Sequence, residues 1–429
     1  MAASTILSWK MIKPFSSTPP SLKRHSLSFM DYINLPLYIP MALFYPKPKN
    51  CNEIQISHIL ENSLSKVLAS YYPFAGRIKD NNSYVHCNDM GAEYLNVRTN
   101  CPMSEILNHR DNDVVDVVFP HNLPWSSSVN RSPLVVQLSH FDCGGIAISV
   151  CLSHKIADGY SFYRFLNDWA YTARQVDFKP SRQFDASSLF PLMADPPAIP
   201  INVVVPDEPQ RRVSRMYNFS SSSLGRLKDI VVATNSGVEN PTRVEVATAL
   251  LHKCGVAASM ETSSGVFKPS LLSHVMNLRP QIPLNLIGNA TCIFGSIAMT
   301  EDDIKLHNFV ARMQKSKQQL RDELKDLDRN QLALHAQERI KEVVDIIERD
   351  LFDIYLCSSL SYIGLNKPDF GWGSPIRVTS MRYPMKKNFI FLNEPSGDGI
   401  NVLISLPEAD MSIFQIKKEF LEFASPVVH

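Results

Sequence analysis

The chain has 429 residues, 45% of them hydrophobic and 20% charged, which is enough apolar material for two cores because single domains usually hold about 100–200 residues. Its 43 basic and 42 acidic residues give a net charge of +1, which argues against nucleic acid or an anionic membrane as a partner. The N-terminus lacks a signal-peptide pattern, and no run of about 18 apolar residues occurs, so we expect a soluble, cytoplasmic protein without membrane spans.

The cysteines are scattered along the chain, and no two of them form a CxxC pair. They are Cys51, Cys87, Cys101, Cys143, Cys151, Cys254, Cys292 and Cys357. Several lie in apolar runs. The pattern therefore favours reduced, buried thiols over disulfides or a zinc site.

The first half of the chain predicts a helix, two strands and a second helix. Apolar residues recur at helical spacing over Ile56–Tyr71, until Pro73 ends the pattern. Two apolar strands are expected over 134–141 and 146–152, joined by a glycine turn. A helix follows over 160–174, with Asp158 at the position of an N-cap.

The second half follows a segment with seven prolines and no clear period, which predicts a linker over 179–213. Domains are therefore expected over 1–178 and 214–429. Helices are predicted over 244–254 and 411–423, a helix pair over 302–349 broken near Asp328, and strands over 271–276, 376–379, 388–392 and 400–406. Mixed sheets with helices in both halves indicate an α/β or α+β fold.

The segment from His154 to Gly159 reads HKIADG and is the first candidate for chemistry. A histidine at the mouth of a buried strand can accept a proton near neutral pH. The spacing of His154 and Asp158 alone is weak evidence, because a capping aspartate beside a histidine at the edge of the core would look the same. The apolar strand before the segment and the glycine after it favour the catalytic interpretation.

Two other chemistries compete at the same place and are less favoured. His140, Asp142 and Cys143 lie near His154 in sequence, but zinc needs three or four converging ligands. Cys143 and Cys151 could act as nucleophiles, although both look buried. We therefore expect neither a metal nor an acyl-enzyme. No phosphate-binding glycine loop is present either, which argues against nucleotide chemistry.

The segment Asp369–Gly373 reads DFGWG and allows two interpretations. Its glycines permit a tight turn around a packed Trp372, or they present the indole N–H to a developing oxyanion. Arg279, at the end of a predicted strand, needs a carboxylate partner if it is buried, and Asp158 and Asp369 are the candidates.

HKIADG and DFGWG, about 210 residues apart, together with YYPFAGRI at 71–78 and MNLR at 276–279, resemble the plant BAHD acyltransferase family. The chain looks most similar to its clade that acylates alkaloid alcohols and acylsugars. The resemblance implies two chloramphenicol-acetyltransferase-like domains, a long crossover and a tunnel between the domains. It also implies acyl transfer from acyl-CoA, a co-substrate rather than a bound cofactor, to a small-molecule alcohol, by a monomeric enzyme.

The resemblance also implies roles for single residues. His154 matches the general base, and Asp158 matches an aspartate that turns away from the substrate and pairs with Arg279. Asp369 matches a structural aspartate, and Trp372 a residue near the reacting thioester.

Thr242 and Arg243 fall in the region that meets the phosphates of CoA. Pro280–Pro283 departs from the double proline of many relatives, so the loop before Gly288 and Asn289 can differ in shape. The alternative from another class is a non-catalytic binder of acyl-CoA or a metabolite.

Overall fold

The computed structural model describes residues 4–79, 83–121, 123, 131–175, 184, 186–192, 211–234, 237–263, 265–279, 285–382, 387–395 and 397–427. Within these ranges the strands are β1 Ser4–Ile12, β2 Arg24–Ser26, β3 Tyr38–Tyr45, β4 Arg77–Lys79, β5 Tyr84–His86, β6 Ala92–Thr99, β7 Leu134–Phe141, β8 Ile146–Ser153, β9 Arg212–Phe219, β10 Ser270–Asn277, β11 Thr291–Ala298, β12 Asp353–Ser359, β13 Arg377–Thr379, β14 Asn388–Asn393, β15 Ile400–Pro407 and β16 Ser425–Pro426.

The helices of the same ranges alternate with these strands. They are α1 Phe29–Ile33, α2 Glu53–Leu68, α3 Met103–Leu107, α4 Gly159–Ala173, α5 Ala186–Leu189, α6 Ser221–Ala233, α7 Arg243–Thr262, α8 Leu306–Lys325, α9 Arg329–Glu348, α10 Glu408–Phe414 and α11 Lys418–Leu421. Among the described helices, none is long and apolar enough to cross a bilayer. The mixed sheets and helices confirm the predicted fold class.

The first half of the chain builds a six-stranded sheet in the order β1-β6-β7-β8-β3-β13. Strands β7 and β8 are buried along their whole length, because helices α2 and α4 cover one face and a second apolar cluster covers the other. The predicted strand pair is thus confirmed. Helix α4 begins after Asp158, whose carboxylate accepts the N–H of Ser161, so the predicted N-cap is also confirmed.

The second half builds a seven-stranded sheet in the order β11-β10-β12-β14-β15-β9-β16. One face, with Leu272, Phe294 and Phe389, packs in a core with helices α7 and α8. The opposite face contributes Ile390 and Leu403 to the core of the first half. This opposite face therefore meets the six-stranded sheet and its helices.

One strand does not follow the predicted division into two domains. Strand β13 comes from the second half, yet it pairs with β3 of the first sheet, Val378 opposite Leu43. Much of the predicted linker, residues 179–183, 185 and 193–210, lies outside the described residues. Within the linker range, Phe190 accepts a backbone hydrogen bond from Phe29 of α1. The boundaries 1–178, 179–213 and 214–429 stay a prediction.

Two expectations were wrong. The single helix predicted over 411–423 is two short helices, α10 and α11, which bring Phe414 and Phe420 into contact with their ring centroids 4.5 Å apart. In one continuous helix these rings would point to different sides, because residues six apart are turned by about 240°. Cys143 is exposed rather than buried, since it lies in the turn between β7 and β8.

Candidate active site

His154 directly follows the buried strand β8, and its backbone N–H donates to the carbonyl of Leu37 at 2.7 Å. Its imidazole is only partly accessible. Removal of the ring from water lowers the pKa of His154 below its ordinary value, although Asp158 and the hydrogen bond to the side-chain oxygen of Asn289 act to raise it. The ring is therefore neutral at pH 7 and ready to accept a proton.

Asn289 fixes which nitrogen of His154 is able to accept a proton. The Nδ2 group of Asn289 donates to the carbonyl of His154 at 2.7 Å and to the carboxylate of Asp31 at 2.8 Å. Its Oδ1 atom is then the one facing His154 Nδ1, 3.0 Å away. An amide oxygen only accepts, so Nδ1 carries the hydrogen and Nε2 keeps its lone pair.

Asp31 anchors Asn289 through two hydrogen bonds, because the backbone N–H of Asn289 also donates to it at 2.8 Å. The aspartate is held in turn by a capping box with Ser28 at the start of α1. Lys155, next to the catalytic candidate, is buried, and burial lowers its pKa to about 8 despite the charge of Asp31. Sequence reasoning missed Asn289 and Asp31 as parts of the site, although the capping box was visible in the sequence.

Asp158 points away from His154, as predicted from the resemblance. One carboxylate oxygen accepts the N–H of Ser161, and the other accepts from Arg279 at 2.6 Å and from the N–H of Ala290 at 3.0 Å. Burial alone would raise the pKa of Asp158, but Arg279 and the backbone donors outweigh it, so the pKa is lowered. The aspartate is ionised and hydrogen-bonded on both oxygens, and its lowered pKa makes it a poor proton acceptor at neutral pH.

Arg279 is fully buried and has several partners besides Asp158. Its guanidinium donates to the carbonyls of Leu286 and Gly288 and to the hydroxyl of Ser161, and it lies over the ring of Tyr160. The pair with Asp158 thus ties the start of α4 to the segment that carries Asn289. In this way the ion pair positions the residue that orients the imidazole.

Asp369 does not approach Arg279. Its Oδ1 atom accepts the N–H groups of Gly371 and Gly373, both at 2.8 Å, and the carboxylate lies 3.5 Å from Arg174. Both glycines have positive φ angles, which explains why the turn contains them. The tight turn of DFGWG is therefore built around its own aspartate.

Trp372 lies far from His154, which corrects its predicted place beside the thioester. Its indole packs on Tyr45, with 6.3 Å between ring centroids, and Tyr45 is opposite Ile146 at the start of β8. His154 follows the other end of that strand, about 26 Å away at the rise of a β-strand. Side chains stand perpendicular to a strand and cannot close such a gap.

Helix α4 gives the same result by a separate measure. Asp158 lies just before the first turn of α4, and Arg174, which pairs with Asp369, lies just after its last turn. The two ends of the helix are about 24 Å apart along its axis. An oxyanion role for Trp372 is therefore wrong for this geometry. The indole N–H has no hydrogen-bond partner in the described residues, and the ring stacks on Phe370.

Thr242 and Arg243 begin helix α7. The hydroxyl of Thr242 accepts the N–H of Glu245, and the carboxylate of Glu245 accepts the N–H of Thr242. Arg243 is exposed and donates to the carbonyl of Asp398. The threonine therefore serves the helix start, while the exposed guanidinium is available to an anionic ligand, and the predicted phosphate contact stays a prediction for both.

The residues weighed for other chemistries are not brought together. Within the described ranges, no three histidine, cysteine or acidic side chains converge as metal ligands. Cys151 is fully buried, and burial raises the pKa of its thiol well above the ordinary value. A protonated, enclosed thiol is a poor nucleophile.

Comparison with known proteins places the chain in a family. The profile of the Transferase family matches residues 2–421. The chain is 63% identical to acylsugar acyltransferase 3 of Solanum lycopersicum over 432 residues, covering 100% of this chain and 99% of the relative. The chain belongs to the BAHD acyltransferase family. It is also 39% identical to acyltransferase Pun1 of Capsicum frutescens, with 96% of each chain covered.

Solved structures share the fold. Vinorine synthase superposes with a TM-score of 0.84 at 28% identity, covering 99% of both chains. F. graminearum TRI101, solved with coenzyme A and T-2 mycotoxin, gives 0.72 at 17% identity over 94% of this chain and 99% of that one. The fold is thus the chloramphenicol-acetyltransferase-like arrangement of the family, and the protein is an acyl-CoA-dependent O-acyltransferase of specialised metabolites.

Proposed function

We propose that the protein esterifies a free hydroxyl of a sugar ester with the acyl group of an acyl-CoA, and that His154 is the general base. The observation that carries the proposal is the fixed tautomer of His154, whose Nδ1–H donates to Asn289 and leaves Nε2 as acceptor. The relative named as an acylsugar acyltransferase, at 63% identity, supports a sugar ester as the acceptor.

The transfer runs in two proton steps at one nitrogen. Nε2 of His154 removes the proton of the acceptor hydroxyl while its oxygen attacks the thioester carbonyl, which gives a tetrahedral intermediate. Collapse breaks the carbon–sulfur bond, and the imidazolium returns the proton to the leaving thiolate of CoA. The acceptor gains an ester, CoA leaves as a thiol, and no group stays on the enzyme.

The environment of His154 suits this proton cycle. The ring is neutral before reaction because burial lowers its pKa. The transient imidazolium is stabilised by the oxygen of Asn289, which Asp31 holds in place. Exposed Arg243 is our candidate for a CoA phosphate, with Thr242 beside it at the start of α7. No cofactor is expected to stay bound, and we expect a monomer in the cytoplasm.

An alkaloid alcohol is the second candidate acceptor. Deacetylvindoline O-acetyltransferase of Catharanthus roseus, whose name states O-acetyl transfer, is 34% identical to the chain over 442 residues, against 63% for the acylsugar enzyme. A non-catalytic binder has no need of a base, and the ordered tautomer of His154 argues against it.

The test mixes purified protein with acetyl-CoA and either sucrose esters or indole alkaloid alcohols, and follows the release of free thiol. We expect turnover with sucrose esters, a decrease of about 10²–10⁴-fold in His154→Ala, and unchanged binding of CoA. An active His154→Ala enzyme would contradict the mechanism. Turnover with alkaloid alcohols but not with sucrose esters would show that the acceptor is an alkaloid alcohol, and it would leave the proposed mechanism unchanged.

A further inference from the structure

The face of the seven-stranded sheet that meets the first half of the chain is only partly covered. The register places Ser273 opposite Leu356, and Ser358 opposite Ile390, so all four lie on this face. Near Ile390 the face is buried against the first half. At the other end of the sheet, along β10 and the edge strand β11, Val275, Ile293 and Ile297 stay 36%, 47% and 38% exposed.

These three apolar residues, which we call the open strip, are neighbours. Val275 is directly opposite Ile293, and Ile297 lies four residues along β11 on the same face. Gly295 stands between the two isoleucines, and the side chain of Leu271 on β10 fills the space above it, with Cδ1 3.0 Å from where a β-carbon would lie. Exposed apolar side chains are common singly, but a contiguous group that extends from a reaction site indicates a binding surface.

The open strip is continuous with the catalytic centre. The side chain of Asn289 contacts His154. Asn289 is separated by an even number of residues from Thr291, Ile293 and Ile297, so an extended chain places all four side chains on the same face. The ladder extends beyond β11, because Leu278 donates to the carbonyl of Ala290. Ile293 therefore lies on the same side as the Asn289 amide, about 13 Å farther along at the rise of a strand.

The surface between His154 and the open strip is polar. Thr291 pairs with Asn277, whose side chain is hydrogen-bonded to Tyr362. A ligand that lies along this face from the imidazole meets hydroxyl and amide groups first and hydrocarbon afterwards. This sequence of polar and then apolar surface matches an amphipathic ligand whose hydroxylated head lies beside His154 and whose apolar tail lies on the open strip.

We infer that the open strip binds an acyl chain already attached to the sugar acceptor, so that the enzyme prefers acceptors esterified with longer chains. The inference rests on the proposed sugar-ester acceptor. An acetyl group on the donor is too short to reach Ile293, about 13 Å along the strand from Asn289. The open, solvent-facing surface also suits a tail that points away from a bulky head.

The experiment compares sucrose monoesters with chains of two, five and ten carbons as acceptors, with acetyl-CoA as donor. In the unchanged enzyme, kcat/KM should rise about twofold for each methylene added to the acyl chain of the ester. Complete burial of a methylene would give about fourfold, but the open strip covers only one side of the acyl chain. In Ile293→Thr/Ile297→Thr this dependence should disappear, while the KM for acetyl-CoA stays unchanged. The control is Ile6→Thr/Leu7→Thr, on the exposed edge strand β1 of the other sheet, which should keep the dependence.

Binding of the same esters to His154→Ala, measured by calorimetry, separates this inference from the proposed function. Longer esters could bind more tightly, and the strip variant could abolish this gain, while the unchanged enzyme shows no turnover with any of the esters. That result would refute the sugar ester as acceptor but support the open strip as a binding surface. Chain-length dependence retained in the strip variant would overturn the inference. A second donor series, acetyl-CoA against longer acyl-CoAs, would overturn it too if the strip variant lost a dependence on donor chain length instead. So would a dimer in sedimentation that dissociates in the strip variant.

Discussion

At the scale of single residues, the proton chemistry of His154 predicts the pH dependence of catalysis. Burial lowers the pKa of His154 below its ordinary value of 6.5, and the proposed active form is neutral, so the acid limb of kcat/KM should have its midpoint below pH 6.5. The hydrogen bond that His154 donates to Asn289 acts to raise this pKa. In Asn289→Ala the acid limb should therefore move to lower pH, with a turnover loss of about 10²-fold from the misplaced ring. A limb that stays in place or moves upward would contradict the tautomer assignment.

The ion pair of Asp158 with Arg279 predicts a combined loss of stability and activity. Asp158→Asn keeps the size of the side chain but leaves a buried guanidinium without its counter-charge, which typically costs about 3–5 kcal/mol. Turnover should fall as well, because Arg279 also holds the carbonyl of Gly288, next to Asn289. Denaturant unfolding and kcat measured on the same preparation check this. A stable Asp158→Asn enzyme with a shifted pH profile would instead assign the aspartate to proton transfer.

At the scale of elements, the turn Asp369–Gly373 should contribute to stability and not to the reaction. Trp372→Phe preserves an aromatic ring against Tyr45 and Phe370, so we expect near-normal kcat and a melting temperature lowered by a few degrees at most. Asp369→Ala, which removes the acceptor of two glycine N–H groups, should destabilise the protein more. A fall of 10²-fold in kcat for Trp372→Phe without loss of stability would return the indole to the reaction.

The elements also show how far sequence reaches. Strands β7 and β8 and helix α4 are predictable because their apolar patterns are local, and HKIADG marks His154 as the proposed base for the same reason. The prediction for Trp372 was wrong because the distance between Trp372 and His154 is set by tertiary structure. Trp372 packs near the start of β8, and its neighbour Asp369 pairs with the end of α4, whereas His154 lies at the opposite end of both elements. Asn289 was missed since its role comes from a contact 135 residues apart in the chain, and no local pattern records that contact.

At the scale of the whole molecule, the two sheets should unfold as one cooperative unit. Strand β13 of the second half pairs with β3 of the first, and Ile390 and Leu403 of the second sheet belong to the core that α2 and α4 cover. Separation of the halves would expose these apolar side chains and leave the edge of β3 unpaired, so neither half keeps its full set of contacts alone. Calorimetry of the intact chain should show a single transition, with equal calorimetric and van't Hoff enthalpies.

The variant Val378→Ala makes this cooperativity measurable. Val378 is buried in β13 opposite Leu43, and its truncation should cost about 1–3 kcal/mol. Because β13 belongs to both halves, that loss should lower the melting temperature of the whole transition without splitting it. Val266→Ala, an exposed position in the second half, serves as the control and should leave the transition unchanged. Two resolved transitions, or a shift in only one of them, would show that the halves are independent domains and that β13 is a docked extension rather than a shared strand.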